Sequence, residues 1–122
     1  MDGSLSEISR ERLLEKLEHG DDFVLVDALS PMSFAAEHLP GAINLTFGWM
    51  DDRARRRIPD LDTEVVVYCA DAGCDSSVLV ANRLVELGYR NVRHYAKGKR
   101  DWVAAGLPLE GGRVERSGLR PS

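Results

Sequence analysis

Short apolar runs alternate with segments of helical periodicity along this chain. The strongest run, "VVVYC" at 65–69, predicts a strand, and "FVLVDA" at 23–28 predicts another. Both runs are continuously apolar, which is typical of strands in a parallel sheet that is covered on both faces. "PGAINLT" at 40–46 predicts a turn and a third strand, and "VRHYA" at 92–96 predicts a fourth.

The segments between these strands carry the signals of helices. In "ISRERLLEKLEHG" the leucines Leu13, Leu14 and Leu17 fall on one helical face. Ser9 is the predicted N-cap of this helix and Gly20 its C-terminal stop. Further helices are predicted at 31–39, 50–58, 76–88 and 99–106.

This alternation predicts one α/β domain with a mostly parallel central sheet and helices on both faces. We assign residues 1–112 to the domain, and we predict that 113–122 form a flexible C-terminal tail because they lack apolar periodicity. Ligands of such sheets bind beyond the carboxyl ends of the strands. Residue 69 lies at such an end.

Composition and charge narrow the classes of function. The 122 residues are 43% apolar and 30% charged with a net charge of -4, so we expect neither nucleic acid nor a membrane as partner. The basic run "RARRR" at 53–57 is flanked by aspartates and predicts a solvated helix face. The N-terminal "MDGSLSEIS" has no apolar signal-peptide core, and we therefore expect a cytoplasmic location.

The candidate chemistry lies in a loop that begins with Cys69. A thiol between a strand and a helix N-terminus is near unpaired N–H groups, which favour the thiolate and any anion attached to its sulfur. Gly73 gives the loop backbone freedom, and Ser76 and Ser77 can cap the following helix. The alternative is that Cys69 is a small apolar residue buried at a strand end.

Several separated motifs carry a resemblance to a known family. They are "LVDAL" with "FAAEHLPGAINL", then "VVVYC" with its loop, then "ANRLVELGYRNVRHYAKGKRDWVAAGLPLE". In this order they resemble the single-domain rhodaneses, a family of sulfurtransferases, over about residues 5 to 110.

The resemblance implies that Cys69 is catalytic. Its thiolate would take sulfane sulfur from a small donor, become a persulfide and pass the sulfur to a thiol, to a cyanide-like acceptor or to a partner protein that carries a thiol. The resemblance implies no metal and no organic cofactor. The active-site loop would comprise Ala70, Asp71, Ala72, Gly73, Cys74, Asp75 and Ser76.

The chain departs from the family pattern at the fifth position after Cys69. Common rhodaneses have an arginine there, and this chain has Cys74. Asp71 and Asp75 add negative charge, so we expect weak binding of a dianion such as thiosulfate. Three cationic side chains after a later strand could reach the edge of the active-site loop, and the alternative is that they form the solvated start of a helix. They are those of Lys97, Lys99 and Arg100.

Three interpretations of Cys74 are open. It is a thiol that resolves a Cys69 persulfide or sulfenic acid, a passive small residue without a chemical role, or part of a metal site. A metal site is disfavoured because the sequence lacks a second pair of ligands at a suitable spacing. The competing functions are a dithiol redox protein that uses both cysteines and a non-catalytic rhodanese-like binding module. Phosphatase or arsenate chemistry is disfavoured because the loop has no arginine to bind an oxyanion.

Other conspicuous residues are assigned to structure. Asp27 ends a strand, and Leu29 stands where the family usually has an arginine. We expect His38 to lock its turn by hydrogen bonding rather than to act as a base. Trp102 is predicted to be in the core, and Trp49 and Met50 are predicted to border the entrance of the site.

Overall fold

One parallel sheet with helices on both sides organises residues 5–112, which the computed structural model describes. The predicted tail, 113–122, lies outside the described residues, as do the first four residues of the predicted domain. The elements in chain order are β1 Ser6–Glu7, α1 Arg10–His19, β2 Val24–Asp27, α2 Pro31–Ala36, β3 Ile43–Asn44, α3 Asp51–Arg57, β4 Glu64–Tyr68, α4 Ser76–Glu86, β5 Asn91–Tyr95 and α5 Gly98–Ala104.

The strand order is β1-β5-β4-β2-β3, and all neighbouring strands are parallel. β4 is the central strand, and its side chains alternate between two apolar clusters. Val65 and Val67 pack in the cluster that includes Leu84 of α4, whereas Val66 and Tyr68 pack in the cluster that includes Trp102 of α5. The predicted α/β class is therefore confirmed.

Burial on both faces explains why β4 is a continuous apolar run. Val65, Val66 and Val67 are each 0% exposed. Full burial of a valine-sized side chain stabilises a fold by about 1.5–3 kcal/mol. The strand is thus a well-anchored support for the residue that follows it, Cys69.

Local signals placed several element ends correctly. The Ser9 hydroxyl accepts a hydrogen bond from the Arg12 N–H at 3.0 Å and caps α1 as predicted. Gly20 ends α1 with a φ of 68°, in the left-handed region that glycine favours. Pro31 is the first residue of α2, where its missing N–H costs nothing.

Two predictions about local structure were wrong or incomplete. β1 was not predicted, because Ser6 and Glu7 are exposed polar residues without an apolar pattern, and they pair with the edge of β5. The predicted capping of α4 by Ser76 and Ser77 is not observed. The helix begins at Ser76 after an Asp75 that makes no side-chain cap, and Ser77 is buried with its hydroxyl 2.8 Å from His94 Nε2.

None of the helices within residues 5–112 combines the length and the apolar character that crossing a bilayer requires.

Candidate active site

Cys69 directly follows the central strand, at the carboxyl edge of the sheet. Its side chain is 1% exposed. The loop of residues 70–75 leads from it to the first residue of α4. This is the strand–loop–helix arrangement that the sequence predicted.

A tight turn folds the loop back toward the strand end. The Cys74 N–H donates to the Asp71 carbonyl at 3.2 Å, and the Gly73 N–H donates to Asp71 Oδ1 at 3.0 Å. The Asp71 carboxylate is therefore used as a local acceptor inside the turn. Ala72, Gly73 and Asp75 are exposed, so the tip of the loop faces solvent.

The start of α5 supports the other side of the loop. The N–H of Lys99 donates to the Cys69 carbonyl at 2.9 Å, and the N–H of Arg100 donates to the Ala70 carbonyl at 2.8 Å. Gly98 makes this approach possible: its φ is 68°, and a Cβ built there would lie 2.5 Å from the Cys69 carbonyl oxygen. Gly98 was not predicted to take part in the site, and its only signal in the sequence is its place just before the helix predicted at 99–106.

The turn brings the sulfur atoms of the two cysteines together. Cys69 and Cys74 are joined by a disulfide, with a Cα–Cα distance of 6.2 Å. Cys74 is half-buried and more exposed than Cys69. The two cysteines of the predicted loop are therefore bonded to each other, and Ser76, the last residue predicted for that loop, is the first residue of α4.

A buried polar network holds the strand end beneath the loop. The Tyr68 hydroxyl donates to Asp27 Oδ2 at 2.7 Å and accepts from the Leu39 N–H at 2.9 Å. The Leu29 N–H donates to the other carboxyl oxygen of Asp27 at 2.8 Å. Because Tyr68 immediately precedes Cys69, this network fixes the position from which the loop departs.

Burial dominates the electrostatics of this network. Loss of solvation raises the pKa of Asp27 above its ordinary value, although the hydrogen bonds from Tyr68 and Leu29 and the charge of Lys99 oppose the rise. Burial, together with the neighbouring Asp27, also raises the pKa of Tyr68, which keeps its phenol protonated as a donor.

The cationic residues near the site contact it mainly through their backbone. Lys99 and Arg100 donate their N–H groups to the loop, but the Lys99 ammonium is bonded to the Glu37 carbonyl at 2.9 Å. Lys97 is the exposed residue before α5, and the Arg100 side chain is exposed as well. Within the described residues, no lysine or arginine side chain therefore takes the place of the missing arginine by a hydrogen bond to the loop 69–75.

Trp102 lies in the core as predicted, and His38 makes hydrogen bonds, although the bond of its side chain is to α2. His38 Nδ1 lies 2.7 Å from the Phe34 carbonyl, and the imidazole stacks on the Phe34 ring with centroids 3.9 Å apart. The backbone of His38 also pairs with Glu110 in both directions. Trp102 is 1% exposed, and its Nε1–H donates to the Pro108 carbonyl.

The prediction that Met50 borders the site is wrong, and the same prediction for Trp49 stays a prediction, because the cavity that Trp49 lines includes no residue of the loop 69–75. Trp49 is 74% exposed and borders an open cavity of about 350 Å³, with Phe34 and Arg53 among the other lining residues. Met50 is 2% exposed and belongs to the core cluster beneath α3, so it does not border a site. Met50 lies just before α3 and shares its apolar cluster with the sheet residues Val26 and Val65.

The described part of the chain holds no group of three or more histidine, cysteine, aspartate or glutamate side chains arranged to bind a metal ion.

Comparisons with known proteins agree with the resemblance seen in the sequence. The rhodanese-like domain family matches residues 9–105. An HTH-type transcriptional regulator of Mycobacterium tuberculosis is 34% identical over 86% of this chain, and the chain spans only 45% of that regulator. Thiosulfate sulfurtransferase GlpE of Haemophilus influenzae is 34% identical over 88% of this chain and 96% of its own length.

Solved structures extend this likeness to the fold. A crystal structure of a protein from Anabaena sp. matches with a TM-score of 0.79 and 26% identity, over 89% of this chain and 96% of that one. The family match, the similar sulfurtransferases and the shared fold all cover the segment that contains Cys69. The chain therefore belongs to the rhodanese-like domain family.

Proposed function

We propose that this protein is a sulfurtransferase that carries sulfane sulfur as a persulfide on Cys69. The observation that supports this most directly is the position of Cys69, at the end of the central strand of a rhodanese-like domain and at the head of a loop that leads into α4. Relatives of nearly the same length that are 34% identical are named thiosulfate sulfurtransferases.

The reaction has two half-reactions. The Cys69 thiolate attacks the outer sulfur of a donor, the bond inside the donor breaks, and the donor remnant leaves with the electron pair. The acceptor, a thiol or cyanide, then attacks the outer sulfur of the persulfide and releases the Cys69 thiolate. Such covalent catalysis predicts ping-pong kinetics.

The reaction requires the Cys69–Cys74 disulfide to be open. In the bonded form the Cys69 sulfur has no free valence, and its side chain is almost entirely buried. A cellular compartment that keeps thiols reduced meets this requirement, so we propose the cytoplasm as the site of action. A partner protein with an accessible thiol would be a suitable acceptor there.

The charge of the loop favours a persulfide donor over thiosulfate. The loop between Cys69 and α4 carries two carboxylates, those of Asp71 and Asp75, and the Lys99 ammonium is hydrogen-bonded to the Glu37 carbonyl. A compact dianion would meet this negative charge without an arginine to offset it. A persulfide donor brings one negative charge or none at its reacting sulfur, so the loop carboxylates repel that sulfur less.

The test is the rate of thiocyanate formation by reduced protein, with cyanide as acceptor and either thiosulfate or glutathione persulfide as donor. Cys69→Ser should lose the activity with both donors. The matched variant Val78→Ser, which changes an exposed residue of α4, should keep it. Equal rates for Cys69→Ser and the unmodified protein would refute the proposal, and absence of turnover in every variant would favour a non-catalytic binding module.

A further inference from the structure

The position of Cys74 suggests a chemical role beyond simple sulfur transfer. Cys69 and Cys74 are the two cysteines of the chain. Their Cα atoms are 6.2 Å apart. That separation lies within the roughly 4.4–6.8 Å found for disulfides, so the main chain needs no large movement to join them.

Hydrogen bonds independent of the disulfide hold both ends of the loop. The Asp71 turn accepts the N–H groups of Gly73 and Cys74, and the start of α5 donates to the carbonyls of Cys69 and Ala70. These contacts keep the two cysteines near each other when the sulfurs are reduced. The close approach is therefore a property of the loop.

A structural role for the disulfide is poorly supported. The bond closes only the segment 69–74, so it constrains few residues of the unfolded chain and contributes less loop-closure entropy than a disulfide that closes a long loop. A bond of this kind is better suited to a reaction cycle, because its two sulfurs are already adjacent.

We propose that Cys74 resolves the Cys69 persulfide and releases hydrosulfide, an inference that rests on the persulfide function proposed above. The Cys74 sulfur attacks the inner sulfur, Cys69 Sγ, and the bond between the inner and outer sulfurs breaks. The balance is Cys69–S–S⁻ plus Cys74–SH giving Cys69–S–S–Cys74 plus HS⁻. The thiol proton leaves with the outer sulfur, which has been reduced from sulfane sulfur to sulfide.

An external dithiol closes the cycle. It reduces the Cys69–Cys74 disulfide by thiol–disulfide exchange, takes the form of a disulfide itself and returns both cysteines to thiols. Over one cycle a persulfide donor is converted to its thiol and hydrosulfide at the expense of the dithiol. The protein would then act as a reductase of sulfane sulfur as well as a transferase.

Proximity decides between resolution and transfer to an outside acceptor. A thiol held on the same loop competes with acceptors in solution at a high effective concentration, provided that it can align with the bond that breaks. Because the two sulfurs are bonded in the structure, that contact is reachable by this backbone.

A single-turnover experiment tests this directly. Reduced protein is treated anaerobically with glutathione persulfide, freed of donor by rapid desalting, and left without reductant while hydrosulfide and intact mass are followed. Unmodified protein should release one hydrosulfide per sulfur loaded and lose two hydrogens relative to the reduced chain. Cys74→Ser should instead retain the persulfide and release none, whereas the control Val78→Ser should behave like the unmodified chain.

Each other outcome has a definite meaning. Equal persulfide lifetimes in the unmodified chain and in Cys74→Ser would overturn the resolving role and leave the sulfurtransferase proposal intact. Transfer of the extra sulfur to the Cys74 peptide, without hydrosulfide, would also overturn it. If neither the unmodified chain nor Cys74→Ser reacts with glutathione persulfide or thiosulfate, the proposed function itself is overturned.

Discussion

Replacing Tyr68 with phenylalanine should destabilise the domain strongly, although it removes a single oxygen atom. That hydroxyl donates to Asp27 at 2.7 Å and accepts from the Leu39 N–H at 2.9 Å. Tyr68 and Asp27 are both 0% exposed, so water cannot readily take the place of the lost hydroxyl. Tyr68→Phe therefore leaves a buried carboxylate oxygen and a buried N–H without these partners.

The expected size follows from the two lost contacts. A hydrogen bond to a charged group contributes about 1.5–3 kcal/mol, and an unsatisfied buried N–H costs about 1–3 kcal/mol, which together predict a loss of about 2.5–6 kcal/mol. Domains of this size have a total stability of about 5–15 kcal/mol. The variant should remain folded at low temperature but unfold at a much lower urea concentration.

The loss should also depend on pH. Burial raises the pKa of Asp27 above its unfolded value of 3.8, so the folded state binds the proton more tightly than the unfolded state. The stability that this contributes is fully present below pH 3.8 and is lost as pH rises through the folded pKa. Tyr68→Phe removes a hydrogen bond that lowers this pKa, so it raises the folded pKa further and extends the loss to higher pH.

The assay is urea unfolding of the reduced protein at about pH 4 and about pH 7, followed by tryptophan fluorescence and circular dichroism. The difference in unfolding free energy between Tyr68→Phe and the unmodified chain should be larger at the higher pH. Tyr89→Phe is the matched control, because the Tyr89 hydroxyl donates to the carbonyls of Ala54 and Ile58 and contacts no carboxylate. A loss below about 1 kcal/mol, or a loss equal at both pH values, would refute the reasoning.

Two further substitutions test the support and the charge of the loop. Gly98→Ala should destabilise the fold by about 2–4 kcal/mol and lower the rate of sulfur transfer, because it combines a positive φ with a Cβ only 2.5 Å from the Cys69 carbonyl oxygen. The control is Gly106→Ala, because Gly106 has a φ of 77° but open space around its Cβ position. Equal losses of unfolding free energy in the two variants would show that the close approach to Cys69 has no cost. Asp75→Asn should raise kcat/KM for thiosulfate by about two- to tenfold at low salt and little at high salt, and an unchanged ratio of thiosulfate to persulfide activity would exclude loop charge as the cause.

The fold could be predicted from the sequence where the signals were local. The apolar runs of β2 and β4, the Ser9 cap and the Gly20 stop each act within a few residues, and each is confirmed. β1 was not predicted because Ser6 and Glu7 are exposed polar residues, and two such residues show no alternation of apolar and polar positions. Its formation depends on the neighbouring edge of β5.

The site was less predictable because its contacts join distant parts of the chain. The sequence placed Asp27 and Cys69 at strand ends, but the pairing of Asp27 with Tyr68 depends on the register between β2 and β4. The approach of Gly98 to Cys69 depends on how α5 docks on the sheet. The spacing of Cys69 and Cys74 along the chain did not decide whether their sulfurs meet. That depends on the turn at Asp71, which the spacing alone does not predict.

The most direct test of the central claim is the intact mass of reduced Cys74→Ser protein after incubation with glutathione persulfide, followed by peptide mapping. This background isolates Cys69, because the second thiol that we expect to discharge the persulfide is absent. We predict a gain of one sulfur atom on the peptide that contains Cys69, and its removal by cyanide as thiocyanate. No gain of sulfur, or the same gain when Cys69 is also replaced by serine, would contradict the account.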